Sequence, residues 1–281
     1  MKGTAYLLQA TLISIWWISL LISQPFYDAF QFPNIGNTAF NSFLIPDVVI
    51  IAFFSVLRAY TKNSKLDYVI LGGFGYGALY CLNAMILTRG GTLSTTIMLL
   101  GLFYNLFLIF EKRMFKSSTT TNFTLNLLKT VVQISCIWTI TLCIMPLLIL
   151  KSFSSTRIEL GYYYIVGIVL IIIFSLFGLI SAYVMVKIGQ GTPLPMDQTQ
   201  KLVTKGAYKY VRNPMAVAGI GQGIGVSVLF SSFHIFVYAL LGAVVWHVVV
   251  RPLEEKDMVY RFGKDYEAYR SKVKCWIPVF K

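Results

Sequence analysis

Eight long apolar runs decide what this chain can fold into. They cover about 5–24, 43–60, 68–88, 92–110, 124–149, 161–186, 215–231 and 233–250. A helix of roughly 20 mostly apolar residues spans the hydrocarbon of a bilayer, because every backbone polar group is satisfied within the segment. Only 12% of the 281 residues are charged and mean hydropathy is +0.70, against roughly 25% charged in a soluble domain. The expectation is an all-α, multi-pass transmembrane bundle of about eight spans. The first run exceeds the 7–15 apolar residues of about the usual signal-peptide core and ends in Gln24-Pro25-Phe26-Tyr27, so it reads as a retained helix. The seventh is short and carries Gly219, Gly221, Gly223 and Gly225. Small residues allow close backbone approach, and a tight hairpin with the eighth run is expected.

Charge placement orients the spans. The net charge is +13, which on a soluble protein would bring nucleic acid to mind. Here the basic residues follow the loops instead. One side holds Lys2, Arg58, Lys62, Lys65, Lys112, Arg113, Lys116, Lys187, Lys201, Lys205, Lys209, Arg212 and the basic tail from Arg251 to Lys281. The other holds Arg89, Lys151 and Arg157, a ratio of about 20 to 3. Basic loops stay in the cytoplasm, so both termini are expected there: at a bacterial inner membrane, or at the endoplasmic reticulum in a eukaryote.

The first half offers no repeat, low-complexity tract or catalytic pattern. Residues 1–187 read as a scaffold of about six spans. Asp47 and Arg58 lie about three turns apart near opposite ends of the second run and read as snorkelling interfacial charges. Trp16, Trp17, Phe26, Tyr27, Phe30 and Phe32 suit an interfacial aromatic belt. The segment Lys112–Asn122 reads as a plain polar connection. Cys81, Cys136 and Cys143 lie in apolar runs as small hydrophobes, Cys275 lies in the basic tail, and no metal-ligand spacing occurs.

Residues 188–281 have a different grammar. KIGQGTPLPMDQTQKLVTKGAYKYVRNP is too rich in glycine and proline for a continuous helix and predicts an ordered connector. Asn213 is placed to cap the next helix and Pro214 to occupy its first turn, leaving free N–H groups that suit a carboxylate. After the last span come RPLEE and RFGKDYEAYRSKVKCWIP. Polar residues packed this close to hydrocarbon mark a functional site.

From about Gly189 to Pro278 the pattern resembles the membrane methyltransferases that include isoprenylcysteine carboxyl methyltransferases and phospholipid methyltransferases, in the RNPM form of bacterial relatives. The resemblance implies S-adenosylmethionine as cofactor and a lipophilic acceptor, carboxylate or amine, reached from the bilayer. Through LVTKGAY it implies cofactor contacts from Gln200, Lys201, Leu202, Val203 and Tyr208, and through RNPM from Arg212, Asn213, Pro214, Met215 and Ala216. Through RPLEE it implies a cofactor contact from Glu255 and a substrate contact from Arg251. Glu254 and His247 are candidate bases for an amine acceptor, His247 because it lies one turn before Arg251. The chain departs from the prenylcysteine enzymes at three positions: Gln200 and Asn213 stand where histidines are usual, and Ala216 where tyrosine is. Two other readings share some of these features. A sterol-type reductase using NADPH has a similar tail, but here the arginine is followed by Pro-Leu-Glu-Glu. A transporter or receptor gathers charge at mid-membrane, whereas here it collects at one face.

Overall fold

The computed structural model describes residues 2–153 and 159–278; Arg157 and Lys281, used above to orient the chain, lie outside them. Every regular element among the described residues is helical. Seven helices are long and apolar enough to cross a membrane: α1 (Lys2–Ile22), α3 (Gly36–Thr61), α4 (Lys65–Thr88), α5 (Thr92–Glu111), α6 (Phe123–Phe153), α7 (Tyr164–Gly189) and α9 (Phe233–Lys272). Between α1 and α3 lies the short α2 (Gln24–Phe30). The apolar α8 (Pro214–Leu229) has 16 residues, about 24 Å against a hydrocarbon core of about 30 Å. The expected eight spans are thus seven by length plus one short helix. The bundle and its apolar helices are those of an integral membrane protein.

The chain divides into two compact units, Met1–Glu111 with Lys151–Thr156, and Lys112–Leu150 with Arg157–Lys281. In the first, Ser23 stops α1 and caps α2, its hydroxyl accepting from the Phe26 N–H at 3.4 Å. The reversal lays α2 against α1, so the Trp16 and Phe30 rings meet at 4.2 Å. The aromatic residues are therefore largely packed against one another: Trp17, Phe30 and Phe32 are buried, where a lipid-interface belt was expected. Snorkelling is also overturned. Arg58 is buried, ion-paired with Asp67 of α4 and lies over the Tyr6 ring. Asp47 is buried and accepts from Trp17 Nε1 at 3.2 Å. Each charge has found a polar partner on a neighbouring helix, which reaching for the interface does not provide. Gln9 extends this pattern, donating to Ser55 at 2.7 Å and accepting from Asn105 at 2.8 Å.

In the second unit α7 and α8 pack backbone to backbone. A side chain on Gly221 would run into the Phe174 ring, and one on Gly225 into Ile171 and the Gly167 carbonyl. Gly223 faces Ala239 of α9. The glycine run thus serves α7 as well as the expected hairpin partner, because residues four apart share a face. Three π-bulged stretches, Pro46–Phe53, Thr139–Ile144 and Trp246–Val250, each hold or closely precede a proline: Pro46, Pro146 and Pro252. A proline removes one helical hydrogen bond and crowds the carbonyl four residues back, and widening the turn relieves both. The 40 residues of α9 would measure about 60 Å if straight, twice the hydrocarbon. Its apolar part ends at Val250, its charged part starts at Arg251, and Gly263 (φ 49°, ψ −127°) breaks the helix within FGKDY.

Candidate functional site

Between α7 and α8 the chain leaves helical geometry except for short turns at Pro195–Asp197 and Gly206–Lys209. Backbone bonds give this connector its shape. Gln200 and Lys201 N–H both donate to the Gly189 carbonyl, at 2.7 and 3.0 Å. Thr192 N–H bonds Asp197 O at 2.8 Å. Glycine is required at 191, where a Cβ would collide with the Gln198 carbonyl. The Lys112–Asn122 segment proves to be more than a connection. Ser118 N–H donates to Gln198 O, Gln198 N–H to Lys116 O, and Gln200 Nε2 to Ser118 O, each at 2.8 Å. Lys129 of α6 adds an ion pair to Asp197 at 3.0 Å.

The last turns of the chain fasten the connector from the other side. Arg261 donates through Nη1 to Thr199 O at 2.6 Å and through Nε to Asp257 at 2.7 Å. The Tyr269 hydroxyl donates to Tyr208 O at 2.6 Å, and Arg212 N–H to Lys274 O at 3.0 Å. Tyr208 itself is buried. Burial above all, then the nearby Tyr269 and Glu254, holds its hydroxyl above the usual phenol range, so it is neutral.

These constraints enclose a cavity of about 430 Å³ within the second unit, inside the range of about 300–1,000 Å³ found for small-molecule sites. Apolar walls come from Trp138, Met185, Met215 and Trp246. Three glutamines supply unsatisfied polarity: Gln133, Gln198 and Gln222 line the cavity, and each has a buried side-chain oxygen without a hydrogen-bond partner. Gly219 opens onto it, and a Cβ there would meet nothing within 4 Å.

Of the residues expected from the sequence, Tyr208, Asn213, Met215, Ala216 and Glu254 line this cavity. Glu255 lies beside it in an ion cluster. Its Oε1 is 3.1 Å from Arg212 and 3.7 Å from Arg251, and its Oε2 is 3.7 Å from Arg270. Arg212 keeps two buried nitrogens, Nε and Nη1, without hydrogen-bond partners. Asn213 occupies the N-cap position of α8 but makes no capping bond, and its amide points to Cys275 Sγ at 3.8 Å. The tail has recruited the side chain, leaving the first N–H groups of α8 uncapped. Pro214 is buried at the first turn. Val203 is buried beside Gly189, Leu202 is half-buried and Lys201 is exposed. His247 accepts from Trp276 Nε1 at 2.8 Å, and its carbonyl accepts from Arg251 Nε at 3.3 Å.

Several lining residues escaped the sequence reading. Met258 and Arg261 lie one and two turns beyond Glu254 on one face of α9, a spacing that could have flagged them. Gln133 and Gln222 are polar residues inside apolar runs, which was also a readable signal. Trp138 and Trp246 carried none.

Comparison with known proteins places the likeness in this same region. A family model described as phospholipid methyltransferase matches residues 162–265. The protein-S-isoprenylcysteine O-methyltransferase of Schizosaccharomyces pombe is 36% identical over 80 residues, which cover 28% of this chain and 33% of the relative. The methanethiol S-methyltransferase of Crocosphaera subtropica is 34% identical over 105 residues, 37% of this chain and 38% of the relative. The chain thus spans about a third of the length of these curated relatives. No solved structure matches it. The likeness to phospholipid methyltransferases is thus confined to residues 162–265, the stretch that supplies the connector, α8 and most of α9.

Proposed function

We propose that the protein is an integral-membrane methyltransferase that uses S-adenosylmethionine and acts on a lipophilic acceptor. The observation that carries this reading is one cavity, built from the connector, α6, α7, α8 and α9, with orphaned acceptors in its lining and orphaned donors on Arg212, the residue before the lining residue Asn213. Arg212 offers unpartnered donors, and Gln133, Gln198 and Gln222 offer unpartnered acceptors. S-adenosylmethionine fits such a donor set, since it carries a carboxylate together with amino and hydroxyl groups. Bound there, the cofactor supplies an electrophilic methyl group.

The remaining work belongs to the chain. Arg212 and the uncapped start of α8 attract a carboxylate, and Glu255 holds Arg212 in place. Glu255 also touches the cofactor, as the resemblance implies. Glu254 puts a carboxylate against the cavity and stands outside the ion cluster that Glu255 forms with Arg212, Arg251 and Arg270. It balances positive charge or takes a proton from a neutral acceptor. Trp138, Met215 and Trp246 exclude water, and the packed walls fix approach, the two contributions an in-line displacement needs most. Arg251, partly exposed at the end of the apolar stretch, orients the polar end of an acceptor. His247 is committed to Trp276 and serves Arg251 through its carbonyl. In this reading both termini and the site face the cytoplasm, and the acceptor's apolar part enters from the bilayer.

The test is calorimetry on the detergent-purified protein with S-adenosylmethionine and, separately, NADPH. Binding of the first and not the second is expected. NADPH binding alone would transfer the protein to the reductase class. Labelled methyl donor with extracted lipids then identifies the acceptor.

A further inference from the structure

The first unit has a cavity of its own, of about 180 Å³, which nothing above uses. Its walls are aromatic: Trp16, Trp17, Phe40, Phe43 and Phe74 all line it. Among the described residues, one acidic side chain, Asp47, reaches it, and no lysine, arginine or histidine does. Asp47 is 8% exposed. Its Oδ2 accepts from Trp17 Nε1, but Oδ1 is buried and has no hydrogen-bond partner. An unpaired polar atom in an apolar enclosure costs stability unless a partner arrives. A purely structural role as partner of Trp17 uses only one oxygen and leaves the second unexplained.

The missing partner has a definite chemistry. For Asp47 to stand ionised in this setting, the partner must donate a hydrogen bond to Oδ1, bring positive charge to a lining that holds no basic residue among the described ones, and present an apolar body to aromatic faces. Ring faces attract cations, which favours an ammonium over a neutral alcohol of the same shape. The unpartnered acceptor favours a cation bearing N–H over a quaternary one. The small volume favours a short group. We propose that the cavity of the first unit binds a protonated primary amine, either a free alkylamine or the amino headgroup of a lipid, with Asp47 as its counter-ion and the Trp17–Phe40 corner as its aromatic wall.

The proposal is independent of the activity assigned to the second unit, and so is its test. Calorimetry of the full chain in phosphatidylcholine nanodiscs compares butylammonium with 1-butanol, for wild type and Asp47→Asn. The asparagine can keep the Trp17 bond while removing the charge. Wild type is expected to prefer butylammonium, and Asp47→Asn to lose about 10- to 150-fold of that affinity with little change toward butanol. Phe40→Leu, which keeps the carboxylate, should weaken the ammonium by about 2- to 30-fold and serves if Asp47→Asn fails to fold. Repeating the titration with phosphatidylethanolamine in the nanodisc separates the sources. A lipid headgroup as ligand lowers the apparent butylammonium affinity, and a free amine as ligand leaves it unchanged. Equal binding of butanol and butylammonium to wild type would overturn the proposal, as would unchanged ammonium affinity in both variants.

Discussion

Both units bury polar side chains, but they spend them differently. Around Arg58 in the first, groups pair with one another across helices: Arg58 with Asp67, and Gln9 with Ser55 and Asn105. In the second, Gln133, Gln198, Gln222 and Arg212 each keep an orphaned atom at or beside one cavity. The first arrangement holds helices together where water is absent. The second stays incomplete within the chain, which is the mark of a site whose last partners are brought by a ligand. Tyr6, Asn105, Glu111 and Asp47 of the first unit also keep a buried oxygen without a partner, and of these four Asp47 is the one that lines a cavity, which is why it carries its own proposal.

The largest expected effect tests the first half of this contrast. Arg58→Met strands Asp67 and should cost about 3–5 kcal/mol of stability, read from thermal unfolding in detergent. The double change Arg58→Met with Asp67→Leu should recover most of it. A fully stable single variant would mean that the pair does not hold the helices.

Glu255→Gln tests the other half. It weakens the hold on three arginines, and S-adenosylmethionine affinity is expected to fall by about 10- to 150-fold, the equivalent of one charge-assisted hydrogen bond of about 1.5–3 kcal/mol. The melting temperature should move little. Loss of folding without a selective loss of binding would make this cluster structural, like Arg58.

Two glycines on α8 sharpen the comparison further. Gly221→Ala drives a methyl into the Phe174 ring and should cost about 1–3 kcal/mol. Gly219→Ala meets nothing within 4 Å and should leave stability within about 0.5 kcal/mol, while its methyl enters the cavity and changes Kd or KM. Equal effects on stability would remove the distinction between packing face and cavity face.

The smallest effect on binding is expected for Arg251→Lys. Cofactor affinity should stay within a few-fold, with turnover sharply lower, because lysine lacks the planar fork that orients an anionic group. Normal turnover would make Arg251 a headgroup anchor.

The sequence by itself determined the helical class, most of the spans and the region that resembles known methyltransferases. Apolar runs near 20 residues admit few other structures, and the resemblance around LVTKGAY, RNPM and RPLEE coincides with the match over residues 162–265. It also held cues that were passed over, such as Pro146 and Pro252 beside the π-bulges and the glutamines within apolar runs. The tertiary structure decided the pairings. Arg58 and Asp67 lie on different helices, Gln200 reaches Ser118, and Glu255 collects Arg212, Arg251 and Arg270. Hydropathy belongs to each residue and can be read along the chain. Whether a buried charge snorkels, pairs or waits for a ligand depends on atoms tens of residues away, and only folding brings those within hydrogen-bond reach.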